Sequence, residues 1–194
     1  MLLGHGAGGG ITTPDLLKVA TIAASAGMAV GLVEQPYRVA GRRPPAPAPA
    51  LDAAFAAVVT AARKALRRKG VSDIPVILGG RSSGARVACR TAQPVGASGV
   101  LALAFPLQPP RRQSGHEPPS RLPELLGAGA PVLVVQGERD PFGSGADLAG
   151  ALLPSLGPAQ DADITVITAA GADHSLRKGI DAVKISVWLA QFLP

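Results

Sequence analysis

The sequence alternates apolar runs of strand length with stretches that have the periodicity of amphipathic helices. The apolar runs are continuous, which is typical of strands buried on both faces of a parallel sheet. Strands are predicted at 1–3, 28–33, 74–78, 99–105, 131–135 and 164–168, and helices at 14–26, 51–69, 83–91, 121–126, 145–153 and 176–193. This order predicts an α/β fold, with a mostly parallel sheet of about six strands and helices on both faces.

Length and composition indicate one domain. Because 47% of the 194 residues are hydrophobic and only 16% are charged, the chain can bury a full core, and wholesale disorder is excluded. We expect a single domain over 1–194 without a large cap, since the segment between Phe105 and Pro131 has room for one helix and a loop. The proline-rich stretch 42–50 is predicted to be a loop rather than a domain linker.

Several classes of partner and location are not expected. No apolar run approaches the ~20 residues that cross a bilayer, and no secretory signal is visible, so we expect a cytoplasmic protein that does not bind membranes. The net charge of +6 raises the question of nucleic acid, but aromatic residues make up only 3% and supply no stacking platform. The single cysteine, Cys89, allows neither a disulfide nor a multi-cysteine metal site and is expected to pack in the core.

The first predicted strand is about three residues long, below the usual length of ~5. We therefore expect that strands preceding it in the fold are missing, and that the edge of the sheet beside it is exposed. Bare sheet edges are commonly covered or paired, so a homo-oligomer is expected if Met1 is the true start of the chain.

A glycine-rich loop follows the first strand and has two chemical interpretations. Gly4, Gly6 and Gly9 satisfy the dinucleotide motif G-x-G-x-x-G, and Glu34 stands where a ribose-binding acid would. The helix of a dinucleotide site opens inside its glycine run, whereas the helix here is predicted to begin only at Pro14. Binding of a dinucleotide is therefore the least favoured function.

The second interpretation is that the loop presents backbone N–H groups to an oxyanion, as the H-G-rich loop of esterases does. Ala7 is then the preferred donor and Gly8 the second choice, while His5 braces the loop without acting as a base. A tight glycine turn with no chemistry is the simplest alternative.

The motif G-x-S-x-G lies between a predicted strand and a predicted helix, at Gly80, Ser82 and Gly84. That context is typical of a nucleophile elbow, in which the glycines let a strained turn expose the serine hydroxyl. Ser82 is thus the candidate nucleophile. The backbone N–H of Ser83, at the start of the helix, is the candidate second oxyanion donor.

Asp140 and His174 follow the fifth and sixth predicted strands, and the sites of open α/β sheets lie at such carboxyl ends. The order Ser82, Asp140, His174 is that of the α/β-hydrolase triad, with Asp140 as acid and His174 as base. Taken singly, Asp140 can be a turn former and His174 a solvated loop residue. Asp173 and Glu138 are the alternative acids.

For some charged residues the sequence leaves more than one interpretation. Arg81, Arg111 and Arg112 can attract an acidic substrate, although exposed arginines are more often simply solvated. His116, in the polar stretch after the fourth strand, is expected to be solvated.

The blocks GHGAGGG, GGRSSGAR, FPLQPP, QGERDPFG and GADHS occur in the order found in one branch of the α/β-hydrolase superfamily. The chain resembles its small dienelactone-hydrolase-like branch, which includes bacterial hydrolases and testis-expressed eukaryotic relatives, over essentially its whole length. The resemblance implies a three-layer α/β-hydrolase fold and a triad of Ser82, Asp140 and His174. It also implies Ala7 and Ser83 as oxyanion donors.

The activity implied is that of a serine hydrolase, which cleaves a carboxylic ester or thioester of a small-molecule acyl substrate through an acyl-enzyme. Neither a metal nor an organic cofactor is implied. Dienelactone hydrolase has a cysteine where Ser82 stands, so its substrate does not transfer to this chain. The alternative function is a catalytically silent interaction module that keeps the fold.

Overall fold

The structure, a computed structural model, describes residues 1–43, 45–109, 119–155 and 163–193. Within these ranges six strands form one sheet in which every neighbouring pair is parallel, in the order β2-β1-β3-β4-β5-β6. The strands are β1 (Leu2–Gly4), β2 (Gly31–Val33), β3 (Ile77–Arg81), β4 (Gly99–Leu103), β5 (Val132–Gly137) and β6 (Ile164–Ala169). The predicted α/β class and parallel sheet are confirmed. The exposed sheet edge expected beside β1 is wrong, because β1 pairs with β2 on one side and with β3 on the other.

Helices lie on both faces of the sheet, as predicted. They are α1 (Pro14–Ser25), α2 (Pro36–Val39), α3 (Ala48–Arg68), α4 (Ser83–Val95), α5 (Leu122–Leu126), α6 (Gly145–Leu152) and α7 (Ala182–Ala190), with a short 3₁₀ turn over Leu153–Ser155. None of the helices in the described residues has both the length and the apolar character that a bilayer crossing requires.

The hydrophobic core has two parts, one on each face of the sheet. Along β4, Val100 and Ala102 pack into the part covered by α3, α4, α5 and α6, whereas Leu101 and Leu103 pack into the part covered by α1 and α7. Successive residues of a strand point to opposite faces, so a strand between two helical layers must be apolar throughout. This explains why the apolar runs of the sequence are continuous.

The connectivity brings the candidate site residues together at the carboxyl ends of the strands. After β1 the chain moves outward to β2 and then returns past β1 to β3, so the direction of winding reverses between β1 and β3. Gly4 of β1 is in register with Gly80 of β3, and the glycine-rich loop and Ser82 follow these two strands directly. The carboxyl ends of strands at such a switch point form a crevice in which ligands bind.

Several predicted bounds differ from those observed; strand β3, for example, spans Ile77–Arg81 rather than 74–78. Helix α3 begins at Ala48, inside the stretch predicted as a loop, because proline is tolerated in the first helical turn, where its missing N–H has no partner to lose. Helix α7 begins at Ala182 rather than at 176, since Asp181 caps it by accepting from the backbone N–H of Lys184. The short helix α2 was not predicted.

Candidate active site

Ser82 lies in a strained turn between β3 and α4. Its backbone has φ 52° and ψ −111°, and residues other than glycine rarely adopt a positive φ of this size. Two glycines make the turn possible: a methyl group at Gly80 would stand 2.5 Å from the carbonyl oxygen of Gly4, and one at Gly84 would meet the same oxygen even more closely. The G-x-S-x-G spacing is therefore a steric requirement of packing β1 beside this turn.

Ser82, His174 and Asp140 form a continuous chain of hydrogen bonds. His174 Nε2 lies 2.9 Å from Ser82 Oγ, and His174 Nδ1 lies 2.8 Å from Asp140 Oδ2. The Asp140 side chain is fully buried, whereas that of His174 is 19% exposed. An Nδ1–H donated to the carboxylate leaves the Nε2 lone pair to accept the serine hydroxyl proton.

Asp140 is held by its own loop and by a buried amide. The backbone N–H of Phe142 donates to Asp140 Oδ1 at 2.9 Å, and Gln136 Nε2 lies 3.1 Å from Asp140 Oδ2. The Phe142 ring meets the imidazole of His174 edge-on, with 4.6 Å between ring centroids. Both carboxylate oxygens and one side of the imidazole are thus fixed by groups in β5 and in the loop that follows it.

The loop after β1 is braced by side chains. His5 is buried; its Nδ1 lies 2.8 Å from the carbonyl oxygen of Gly6, and its Nε2 accepts from the backbone N–H of Gln35. These two contacts require the neutral tautomer with the proton on Nδ1. The Tyr37 hydroxyl donates to the carbonyl oxygen of Ala7 at 3.3 Å. His5 therefore occupies the bracing role that the sequence predicted for it.

Two backbone donors lie beside the serine turn. Ser83 is the first residue of α4, so its N–H has no partner within the helix. In the part of the chain that the structure describes, neither this N–H nor that of Ala7 is bonded to a protein acceptor. The loop is close to the nucleophile, because a methyl group at Gly6 would stand 3.6 Å from Ser82 Cβ.

The loop that carries His174 is held by hydrogen bonds from the loop that follows β5. Glu138 accepts from the backbone N–H of Gly171 at 2.6 Å, and Arg139 donates to the carbonyl oxygen of the same glycine at 2.6 Å. Asp173 accepts from the N–H and hydroxyl of Ser175, and these bonds lower the pKa of the Asp173 carboxyl below its ordinary value. The two alternative acids are thus engaged with the loop, and Asp140 is the acid that contacts His174.

A family model described as an alpha/beta hydrolase domain matches residues 1–182. The chain belongs to the α/β-hydrolase family. This confirms the superfamily that the sequence blocks resemble, and it supports hydrolysis as the class of activity. Among curated proteins, none matches the chain.

Solved structures share the fold of this α/β-hydrolase. The Thermus thermophilus protein TT1662 is 22% identical with a TM-score of 0.68, over 98% of this chain and 87% of that one. A Xanthomonas campestris serine hydrolase without a lid is 21% identical with a TM-score of 0.61, over 100% and 83%. A candidate dienelactone hydrolase from Klebsiella pneumoniae is 18% identical with a TM-score of 0.67, over 98% and 85%. At these identities the likeness establishes the fold.

The remaining residues that the sequence analysis singled out lie outside the candidate site or outside the described residues. Helix α1 begins at Pro14, several residues after the glycine run, as the sequence predicted. Cys89 is fully buried, and burial raises the pKa of its thiol to about 12, so it packs in the core as an unreactive thiol. Arg111, Arg112 and His116 lie outside the described residues.

Three supporting residues were not predicted as parts of the site. Gln136 is the next-to-last residue of β5, and a polar residue near the end of a buried apolar run is a sequence signal by which it could have been found. Tyr37 is a buried tyrosine on the unpredicted helix α2. Arg81 was considered for substrate attraction, but its guanidinium donates to the carbonyl oxygen of His174 at 2.9 Å. No cluster of three or more His, Cys, Asp or Glu that can hold a metal ion occurs among the described residues.

Proposed function

We propose that the protein is a serine hydrolase that cleaves a carboxylic ester or thioester through an acyl-enzyme intermediate. The observation that carries the proposal is the hydrogen-bonded chain from Ser82 Oγ through His174 to Asp140, at the carboxyl edge of the sheet. Family membership and a strained, glycine-flanked serine turn support the same function.

In the acylation step Ser82 Oγ attacks the acyl carbonyl carbon while His174 Nε2 takes the hydroxyl proton. The imidazolium that forms is stabilised by the buried carboxylate of Asp140, which remains ionised. Because Asp140 also fixes the tautomer of His174, the Nε2 lone pair faces the serine before substrate arrives.

The tetrahedral intermediate carries a negative charge on the former carbonyl oxygen. The N–H groups of Ala7 and Ser83 are the proposed donors to this oxyanion, and the position of Ser83 at the start of α4 adds the positive end of a helix dipole. Losing one such donor typically costs ~3 kcal/mol of transition-state stabilisation.

Collapse of the intermediate breaks the bond to the leaving group, which receives the proton from His174. A water molecule then attacks the acyl-serine, with His174 again as base, and releases the acid and free Ser82. The chain's own residues supply the nucleophile, base and oxyanion donors for both half-reactions.

An accessible site favours small acyl substrates. His174 is 19% exposed, so the reacting atoms lie near the surface. The similar Xanthomonas campestris serine hydrolase is described as lacking a lid, which agrees with the expectation that this chain has no large cap. We therefore propose short-chain esters or thioesters as the first substrates to test.

The test is hydrolysis of p-nitrophenyl acetate, p-nitrophenyl butyrate and a matched thioester by the wild type, Ser82→Ala and His174→Ala. We expect the wild type to release product, and each variant to lose about 10³-fold or more in kcat. Thermal melts of all three proteins check that the fold is retained. A folded wild type that hydrolyses none of these substrates would favour the silent interaction module.

A further inference from the structure

Arg81 ends β3 immediately before Ser82, and its guanidinium contacts two other elements. Nε lies 2.8 Å from Oδ2 of Asp15, in the first turn of α1, and Nη2 donates to the carbonyl oxygen of His174 at 2.9 Å. The side chain of Arg81 is 16% exposed. Two of its three nitrogens therefore have polar partners in the protein, and the chemistry proposed above does not use them.

Asp15 depends on this arginine. Its side chain is 1% exposed, and within the described residues neither of its carboxylate oxygens accepts a well-directed hydrogen bond, so the contact with Arg81 is an ion pair. A buried charge without a partner is strongly unfavourable. The Asp15 carboxylate thus holds the guanidinium in place behind the serine turn.

The same guanidinium packs against the glycine-rich loop after β1, called the oxyanion loop below because it carries Ala7. A methyl group at Gly6 would stand 2.8 Å from Nη1 of Arg81, so the absence of a side chain at Gly6 lets the loop rest on this group. Gly6 directly precedes Ala7, a proposed oxyanion donor. Arg81 therefore contacts the loop of the oxyanion donor and the backbone of the base, and it is covalently next to the nucleophile.

We propose that Arg81, held by Asp15, is a positioning residue that sets the base and the oxyanion loop relative to Ser82. The role rests on the proposed hydrolase function. It needs the planar fork of arginine, because one nitrogen must face Asp15 while another donates to the carbonyl oxygen of His174. A lysine supplies the charge but a single donor atom.

Two substitutions of Arg81 distinguish the effect of its positive charge from the effect of its two-sided hydrogen bonding. Arg81→Gln lacks the charge, so Asp15 is left unpaired and both the melting temperature and kcat fall. Arg81→Lys restores the ion pair and recovers most of the melting temperature, but kcat stays about 10- to 100-fold low because small displacements of reacting groups have effects of that size. A positioning residue does not contact the substrate, so this role also predicts that KM changes little.

Arg86→Lys is the matched control. Arg86 forms a bidentate, partly buried pair with Glu124, on α4 and α5, and its side chain donates to none of Ser82, His174 and Asp140. We expect this variant to lower the melting temperature and leave kcat for p-nitrophenyl acetate unchanged. Wild-type kcat in Arg81→Lys, or an equal loss of kcat in Arg86→Lys, would overturn the inference.

Proton NMR of the hydrogen-bonded ring proton of His174 keeps the test independent of turnover. His174→Ala assigns the signal against that of His5, which is also bonded. We expect the His174 resonance to shift or broaden in Arg81→Lys and to be unchanged in Arg86→Lys. If the wild type hydrolyses no ester, the proposed function fails while the resonance still decides the positioning role; an unchanged resonance in Arg81→Lys contradicts that role.

Discussion

Gln136 shows how a single buried amide supports the proposed acid. It is fully buried, and its Nε2 lies 3.1 Å from Asp140 Oδ2, 3.1 Å from the carbonyl oxygen of Phe105 and 2.6 Å from that of Gly143. It therefore links the segment after β4 to two points of the loop after β5. Buried acceptors of this kind are costly to leave without a donor.

We predict that Gln136→Leu lowers the free energy of unfolding by about 1–3 kcal/mol, because three oxygens lose their donor. We also expect a lower kcat, since among the described residues the Asp140 carboxylate then keeps two partners, the N–H of Phe142 and the ring of His174. Urea unfolding and ester hydrolysis measure the two effects. Unchanged stability together with unchanged kcat would show that the amide does not hold Asp140.

Sequence patterns identify some residues of the candidate site and miss others. The sequence points to Ser82, Asp140 and His174 as candidates because each follows an apolar strand in a recognisable local context, and the structure brings the three into contact. The contact of Arg81 with His174 joins residues 93 positions apart, and that of Gln136 with Phe105 joins residues 31 apart. Such contacts depend on how loops from different strands meet, which local patterns do not encode.

At the scale of elements, the close packing of β1 against α4 is set by Gly84. We predict that Gly84→Ala lowers the free energy of unfolding by about 3 kcal/mol or more, because the added methyl group would overlap the backbone of Gly4 and His5. Gly150, in α6, is the control: it is exposed, and a methyl group there meets nothing within 4 Å. Gly150→Ala should be neutral or stabilising by about 0.5–1 kcal/mol. Equal melting temperatures for the two variants would contradict this packing.

The strands were predictable as elements, but several boundaries were not. Continuous apolar runs identify all six strands, because both faces of this sheet are covered. The start of α3 at Ala48 and of α7 at Ala182 depends on first-turn prolines in one case and on the Asp181 cap in the other. Apolar periodicity does not register these capping effects.

At the scale of the molecule, an ion-pair network joins three helices on one face of the sheet. Glu124 of α5 accepts from Arg86 and Arg90 of α4, and Arg90 also pairs with Asp52 of α3. Burial raises the pKa of Glu124, but the hydrogen bonds and charges of the two arginines outweigh burial and hold this pKa below its ordinary value. The network therefore favours the ionised form of Glu124 in the folded state.

The sign of this shift predicts an acid-dependent stability. A folded-state pKa below the unfolded value of about 4.3 stabilises the protein above that pH, and the stabilisation is lost as pH falls through the folded-state pKa. We predict that Glu124→Gln lowers the free energy of unfolding by about 1–3 kcal/mol at pH 7. The difference from the wild type should shrink in melts below about pH 4. A difference that is constant from pH 7 to pH 3 would contradict this account.

Association through a sheet edge stays a prediction. Strands β2 and β6 are the outer strands of the described sheet, and unpaired edges are commonly covered. We expect light scattering to give a mass above that of the 19.5 kDa chain at micromolar concentration. A monomer mass at every concentration tested would contradict the prediction.

The central claim is that Ser82 is a nucleophile activated by His174. The most direct measurement is intact-mass spectrometry after treatment with a fluorophosphonate probe, followed by mapping of the modified peptide. The account predicts one adduct per chain, on Ser82, with none in folded Ser82→Ala and far slower labelling in His174→Ala. A folded wild type that stays unlabelled, or an adduct on another residue that persists in Ser82→Ala, would contradict it.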